Sequence, residues 1–392
     1  MRGSIRSKGK NSWQLQIYTG VGPDGNAKRY FETVRGRKGD AQKRLTELLS
    51  SLDKGVLIPV GRLTVAEHLH QWLEGYVKTN CSQRTYDGYQ SIIETHLIPA
   101  LGSIQLKHLH PQAIQSYYGK SCEKLSARTV HHQHRVLSQS LKYAVRQGYL
   151  GRNPAELVDP PSPRKKTMRT LTPFEVEVLF DRAADSYYYP VFYTAVSSGL
   201  RQAELLGLRW RDIDLDMLSI SVSQVLYKRR GVCQFKEPKT SHSRRRVAMT
   251  PKLALFLREY KEERESLSLH LGKLLSLDDL VFANIEGKPL DPGVLSHTFH
   301  RIAIQAGLKD VHFHTLRHTF ASLMLLRGAK PKVISEALGH ASVAFTMDCY
   351  SHIIEGMQED AMVLLDEVLP VGVSRGNNAI LTPKTDITLS KN

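Results

Sequence analysis

A small set of side chains in the second half of the sequence could together break and remake a phosphodiester bond. Arg201 sits in Ser198-Gly199-Leu200-Arg201-Gln202-Ala203-Glu204-Leu205. Pro238-Lys239-Thr240 follows, ahead of the basic run Arg244-Arg245-Arg246-Val247. His314-Thr315-Leu316-Arg317-His318, Leu338-Gly339-His340 and Tyr350 complete the series. The transition state of phosphoryl transfer spreads negative charge over the nonbridging oxygens, and the planar donor fork of arginine answers that charge. The chemistry also needs a nucleophile, an acceptor for its proton and a donor to the leaving oxygen. A metal ion can do part of this, but carboxylates should then cluster. Here the cations are present and an acidic cluster is not.

The local spacing supports shared faces. His314 and Arg317 are three apart and fall on one side of a helix. His314 and His318 have the spacing of a zinc pair, but Arg317 lies between them, and a cation in a zinc shell is unfavourable. Gly199 permits a tight backbone turn that places Arg201 at a helix start. Glu204 either orients Arg201 or is an exposed helix carboxylate; both readings stand. Tyr350 is flanked by Asp348, Cys349, Ser351 and His352, polar company for a packed aromatic.

In order and spacing these boxes resemble the tyrosine recombinase (phage integrase) family, whose boxes read G-L-R-x-x-E-L, H-x-L-R-H, L-G-H and then the nucleophilic tyrosine. The resemblance is firm over 170–355, holds over 63–155 in general form only, and extends to 1–57 as a likeness to the arm-binding domains of phage and conjugative-transposon integrases. It implies that Arg201 and Arg317 clamp the scissile phosphate and that Tyr350 attacks it. A 3′-phosphotyrosyl link forms and a 5′ hydroxyl is freed. It implies that Lys239 protonates the leaving oxygen, with Lys236 as competitor. His314 would be general base or phosphate donor, and His340 a phosphate donor. No cofactor and no metal are expected. Ser198 stands where the family often has Thr. The implied partners are double-stranded DNA at core and arm sites, a homotetramer on DNA, and an excisionase or DNA-bending accessory protein. The rival readings are a type IB topoisomerase, a Xer-like resolvase and a regulator that binds DNA without cutting it.

The elements that must position these residues are legible in outline. The chain has 392 residues and a formal net charge of +16, which points to a polyanionic partner. The four cysteines are dispersed, so neither a zinc site nor a disulfide framework is suggested. A reducing cytosol fits best, and the resemblance implies a bacterial cytoplasm, at the nucleoid. No apolar run is long enough to span a membrane, and no apolar region follows the basic start, so neither membrane span nor signal peptide is expected.

The predicted fold class is α+β and multidomain. Residues 1–57 carry twelve Lys and Arg against five Asp and Glu. They read as a strand (12–19), a turn (22–26), a returning strand (27–33) and a helix (38–53) forming an arm-type DNA-binding domain. Gln14, Gln16, Lys28, Arg29 and Tyr30 are its candidate DNA contacts. Residues 58–62 read as a linker. Residues 63–155 read as a helical core-DNA-binding domain, with Thr64 as a cap, Pro99 and Gly102 breaking its second helix and Pro111 starting its third. Of His131, His132 and His134, the adjacent His131 and His132 do not share a helix face and no acidic partner is nearby, so a metal is not expected there. Residues 156–168, with Arg164, Lys165 and Lys166, read as an extended basic linker that touches DNA. Residues 169–370 are the catalytic block: helical, with a short sheet from 217–227 and 244–249. Residues 357–370 are a candidate docking segment for a neighbouring protomer, and 371–392 a disordered tail.

Overall fold

The computed structural model describes residues 3–21, 27–53, 63–163, 168–229, 231–238, 243–340 and 342–354. The chain divides into two compact units, residues 1–165 and 166–392. The expected turn at 22–26, the linker at 58–62, Arg164 to Lys166, Lys239 and everything after Ile354 lie outside the described residues.

The first unit opens with a three-stranded antiparallel sheet: Gly3–Gly9 (β1), Ser12–Val21 (β2) and Ala27–Arg35 (β3), in that order. β1 is an addition to the sequence reading. The helix Lys38–Asp53 (α1) covers one face. Leu15, Ile17, Ala41, Leu45 and Leu48 form the core there, with Ile5, Trp13, Tyr30 and Val34 packed on it. Strand alternation then fixes the other face. The register aligns Arg6 with Gln14 and Thr33, Gln16 with Phe31, and Tyr18 with Arg29.

The helical part follows. Val65–Trp72 (α2) begins with a capping box at Thr64 and Glu67. It runs through a π-helical turn, Leu73–Val77, into Lys78–Asn80 (α3). Gln83–Ile92 (α4) does the same, passing through the π turn Ile93–Leu97 into Ile98–Leu101 (α5). Pro99 therefore does not break this helix. The wider π turn just before it relieves the clash of a proline ring with the preceding carbonyl, and the stop comes at Gly102. Pro111–Cys122 (α6) and Ala127–Arg146 (α7) complete the block, and Gly148 at φ 73 ends the last helix. Apolar residues of these helices, Trp72, Tyr118 and Leu137 among them, form one core, and Ala155 and Val158 are buried in it. The packed helical block thus continues past 155, because the 3₁₀ turn Pro154–Leu157 contributes apolar surface.

The second unit begins with Pro173–Ala183 (α8), capped by Thr172 and Glu175. Tyr189–Ser198 (α9) and Gln202–Leu205 (α10) flank the turn at Gly199. Ile213–Asp214 (β4), Ser219–Ser221 (β5), Val225–Arg229 (β6), Val232–Lys236 (β7) and Arg246–Ala248 (β8) form a β4-β5-β8 sheet and a β6-β7 hairpin. Five helices follow: Pro251–His270 (α11), Pro292–Gln305 (α12), Phe313–Leu326 (α13), Pro331–Leu338 (α14) and Val343–Ile354 (α15). The main core spans α8 to α13, with Phe192 and Phe299 in edge-to-face contact at its centre. A satellite core joins α13, α14 and α15 through Ala321, Leu325, Ile334, Leu338 and Tyr350. No helix among the described residues is long and apolar enough to cross a membrane.

Candidate active site

Two arginines are held by backbone carbonyls at the meeting point of α9, α13 and α14. α9 ends at Gly199, whose φ of 65 only glycine adopts at no cost. A Cβ there would come within 2.4 Å of the Phe320 ring. That turn aims the Gly199 carbonyl at Arg317, which donates Nη1–H to it at 2.7 Å and Nη2–H to the Leu338 carbonyl at 2.6 Å. Arg317 is only 3% exposed. Burial, then the neighbouring Arg201 cation, press its pKa down to about 9, so it stays charged at neutral pH.

Arg201 stands just before α10 and donates to the Gly339 carbonyl at 3.1 Å. Glu204, on the first turn of α10, accepts from the Arg201 backbone N–H at 2.8 Å and from its Nη1 at 2.7 Å. Glu204 is buried, not an exposed helix carboxylate. Its other partner is Arg245, which donates to both carboxylate oxygens at 3.0 Å and, through Nε, to the Ala337 carbonyl at 2.6 Å. Burial pushes the Glu204 carboxyl up, but the Arg245 hydrogen bonds and charge outweigh it, and the net shift is downward.

The nucleophile candidate lies alongside. Tyr350 is 1% exposed, and its φ of −123 marks a kink inside α15. Its hydroxyl is 2.8 Å from His318 Nδ1. Burial, reinforced by Cys349 and only partly countered by Arg317, raises the phenol pKa, so the group is protonated at neutral pH. His314 is exposed and meets the edge of the His318 ring at a centroid distance of 4.8 Å. Loss of solvation, then Arg317 and Arg201, lower its pKa. His340 follows the left-handed cap Gly339, and its Nδ1 is 2.8 Å from Thr346 Oγ1. Burial and the same two arginines bring its pKa to about 4.

Arg201, His314, Arg317, His340 and Tyr350 thus share one site. Lys239 lies outside the described residues, as do the side chain of Lys28 and the linker residues Arg164, Lys165 and Lys166. The competitor Lys236 is at the end of β7, with Nζ 4.3 Å from the centre of the Tyr227 ring. Ser198, the departure from the family pattern, is buried and donates to the Thr194 carbonyl at 2.6 Å. In the N-terminal sheet, Gln14, Gln16 and Arg29 share the face away from α1. Tyr30 does not: its ring packs on the core and its hydroxyl donates to Glu32 at 2.9 Å, because its cross-strand partner is the inward Ile17.

Sequence reasoning missed Arg245 and the contact of His318. For Arg245 a signal existed: it is two residues before the buried Val247, so strand alternation turns both inward. For His318 the adjacency to Arg317 gave none.

Among the described residues, no group of three or more His, Cys, Asp or Glu side chains is placed to hold a metal ion. The arrangement offers a buried phenol, two fixed guanidinium forks and neutral imidazoles around one point. That is the equipment for in-line attack on a phosphodiester.

Comparison with known proteins agrees in kind. The model of the phage integrase family matches residues 169–356, and that of the phage integrase N-terminal SAM-like domain matches 64–120. A "Tyrosine recombinase XerC-like" protein of Caldanaerobacter subterraneus subsp. tengcongensis is 27% identical over 382 residues, covering 92% of this chain and 97% of its own. The ICEBs1 integrase of Bacillus subtilis is 29% identical over 287 residues, covering 72% of this chain and 78% of its own. Among solved structures, a Tn1549 transposon integrase in complex with transposon right end DNA is similar, with TM-score 0.68 and 21% identity over 78% of this chain and 100% of that one. A lambda integrase tetramer bound to a Holliday junction gives TM-score 0.55 and 18% identity over 88% and 94%.

Proposed function

The chain belongs to the phage integrase family of tyrosine recombinases, and from that premise we propose how its own residues cut and rejoin DNA at a specific site to integrate or excise a mobile element. The observation that carries this reading is the convergence of a buried tyrosine hydroxyl with two carbonyl-anchored arginines. Arg201 and Arg317 clamp the nonbridging oxygens of the scissile phosphate. Their forks are pre-positioned, so little reorganisation is needed when charge develops. Tyr350 attacks phosphorus and forms a 3′-phosphotyrosyl bond, which conserves the bond energy for rejoining. Lys239 donates a proton to the leaving 5′ oxygen. His314 serves as general base or phosphate donor, and His340 donates to the phosphate.

The domain assignment follows the same premise. Residues 1–57 bind arm sites, the helical block from 63 to Val158 binds the core site, and the block from 169 carries the chemistry. The open face of the N-terminal sheet supports the first of these, because Arg6, Gln14, Gln16 and Arg29 lie on it together. A sheet can enter the major groove and read base edges. Arg164, Lys165 and Lys166 contact phosphates. A homotetramer on DNA, in the bacterial cytoplasm, with an excisionase or DNA-bending partner, completes the reading. The solved relatives support the DNA and the oligomer, since they include integrases bound to DNA as dimer and tetramer. No observation favours the topoisomerase, resolvase or regulator readings over this one.

The test is Tyr350→Phe. The variant should bind core DNA as the parent does and form no covalent adduct on a nicked suicide duplex. A covalent adduct from the Phe variant would overturn the assignment.

A further inference from the structure

We propose that His318 is the group that takes the proton from Tyr350 as the tyrosine attacks, a role that rests on the recombinase reading above. The placement of the two rings carries it. His318 Nδ1 lies 2.8 Å from the tyrosine oxygen, with ring centroids 6.0 Å apart and ring planes at 58°. In the tautomer that keeps its hydrogen on Nε2, Nδ1 accepts the phenol O–H. Tyr350 is 1% exposed and packed among Ala321, Leu325, Ile334 and Leu338, so bulk water does not compete for that proton. His314 touches the His318 ring from the side and faces solvent, so of its two roles above it keeps that of phosphate donor and leaves base work to His318. Geometry comes first in choosing a base, and His318 meets the hydrogen-bond criterion directly.

The charge environment makes this base responsive to substrate. Among the described residues, His314 and Arg317 on α13, Arg201 ahead of α10, His340 beyond α14 and Cys349 on α15 are the titratable or charged groups around the pair. The carboxylate Glu204 is already engaged by Arg201 and Arg245. In the DNA-free protein, burial, His314 and Arg317 hold His318 at a pKa of about 4, so its imidazole is neutral and free to accept. A phosphate seated on Arg201 and Arg317 offsets the cationic push and raises the affinity of His318 for a proton. The step balances. The Tyr350 O–P bond forms as the P–O5′ bond breaks, and the phenol proton moves to His318 Nδ1. The leaving oxygen takes its proton from the general acid. On rejoining, the 5′ hydroxyl attacks phosphorus and gives its proton back to the deprotonated general acid, the Tyr350 O–P bond breaks, and His318 returns its proton to the departing Tyr350 oxygen.

The experiment uses the full chain and a nicked suicide duplex carrying the crossover core of the element's own end. The variants are His318→Ala, His318→Gln and Tyr350→Phe, each checked by thermal melting and DNA binding. Glutamine keeps an acceptor oxygen near the phenol but takes up no proton. Each His318 variant is also made with 3,5-difluorotyrosine at position 350, whose hydroxyl is more acidic. We expect the rate of adduct formation to fall by roughly 100-fold in both His318 variants, with fluorination recovering about tenfold of the loss while changing the parent by less than about threefold. A Gln variant that cleaves like the parent overturns the proposal, as does a loss that fluorination leaves untouched in a variant that still melts and binds as the parent does. Adduct formation by Tyr350→Phe would instead overturn the recombinase reading itself.

Discussion

Glu204 is the point at which charge removal should be felt most. Its carboxylate is 3% exposed and lies between Arg245, 7% exposed, and Arg201, 37% exposed. The Arg245 contact is the bidentate, desolvated one, so it governs stability; the Arg201 contact reaches solvent and governs aim. Glu204→Gln removes the charge while keeping the shape. It leaves Arg245 as a buried cation held by the Ala337 and Ser243 carbonyls and no longer by a carboxylate. Breaking one side of a buried pair costs about 3–5 kcal/mol. For a unit of this size about 2–4 °C of melting temperature goes with each kcal/mol, so the expected drop is roughly 6–20 °C. Removing both charges with Glu204→Gln/Arg245→Met should recover much of the loss, because no unpaired ion then remains. The pH dependence has a definite sign. The folded carboxyl is held below its unfolded value, so its contribution is fully present above a pH of about 4.3 and fades as pH falls through the folded pKa. Thermal melts of parent, single and double variants from neutral pH into the acid range test this. A Glu204→Gln protein melting within about 2 °C of the parent, or singles and double that simply add, would refute the reasoning.

Other perturbations should act through distinct parts of the molecule. Gly199→Ala forces a side chain into left-handed backbone against Phe320 and Leu338, and should cost about 2–4 kcal/mol by urea denaturation and abolish cleavage. Cleavage should persist in excess EDTA, since the proposed mechanism meets the phosphate charge with Arg201 and Arg317; loss restored by magnesium would point to other chemistry. A fragment of residues 1–57 should bind arm DNA, its affinity falling with salt at a log–log slope of roughly 0.9 per phosphate contacted. His68 is buried and its ring nitrogen lies 2.9 Å from the Ser140 carbonyl, with burial lowering its pKa. The folded state therefore resists its protonation, and the stability of the helical block should fall as pH drops below about 6.5. His68→Gln should flatten that dependence in pH-dependent melts.

Much of this was legible because the site depends on local signals. The cap at Thr64, the glycine turn before Arg201 and the shared face of His314 and Arg317 are short-range patterns, and each appears where the spacing places it. β1 was not legible: Gly3–Gly9 offers Ile5 as its one sizeable apolar side chain among basic and polar residues, and it is a strand because β2 supplies hydrogen-bond partners. The persistence of the helix through Pro99 was hidden because a π turn is a tertiary accommodation that propensity does not encode. Tyr30 was misdirected by a one-residue choice of strand face, the smallest error that inverts every side chain. The Glu204–Arg245 pair joins residues from separate segments, and only folding brings them within reach of each other.

The central claim is that Tyr350 becomes covalently joined to DNA. The most direct measurement is mass spectrometry of the peptide recovered from a trapped adduct after nuclease and protease digestion. The account requires the nucleotide remnant on the peptide that contains Tyr350, linked through a 3′ phosphate. A remnant on any other residue, or a 5′ linkage, would contradict it.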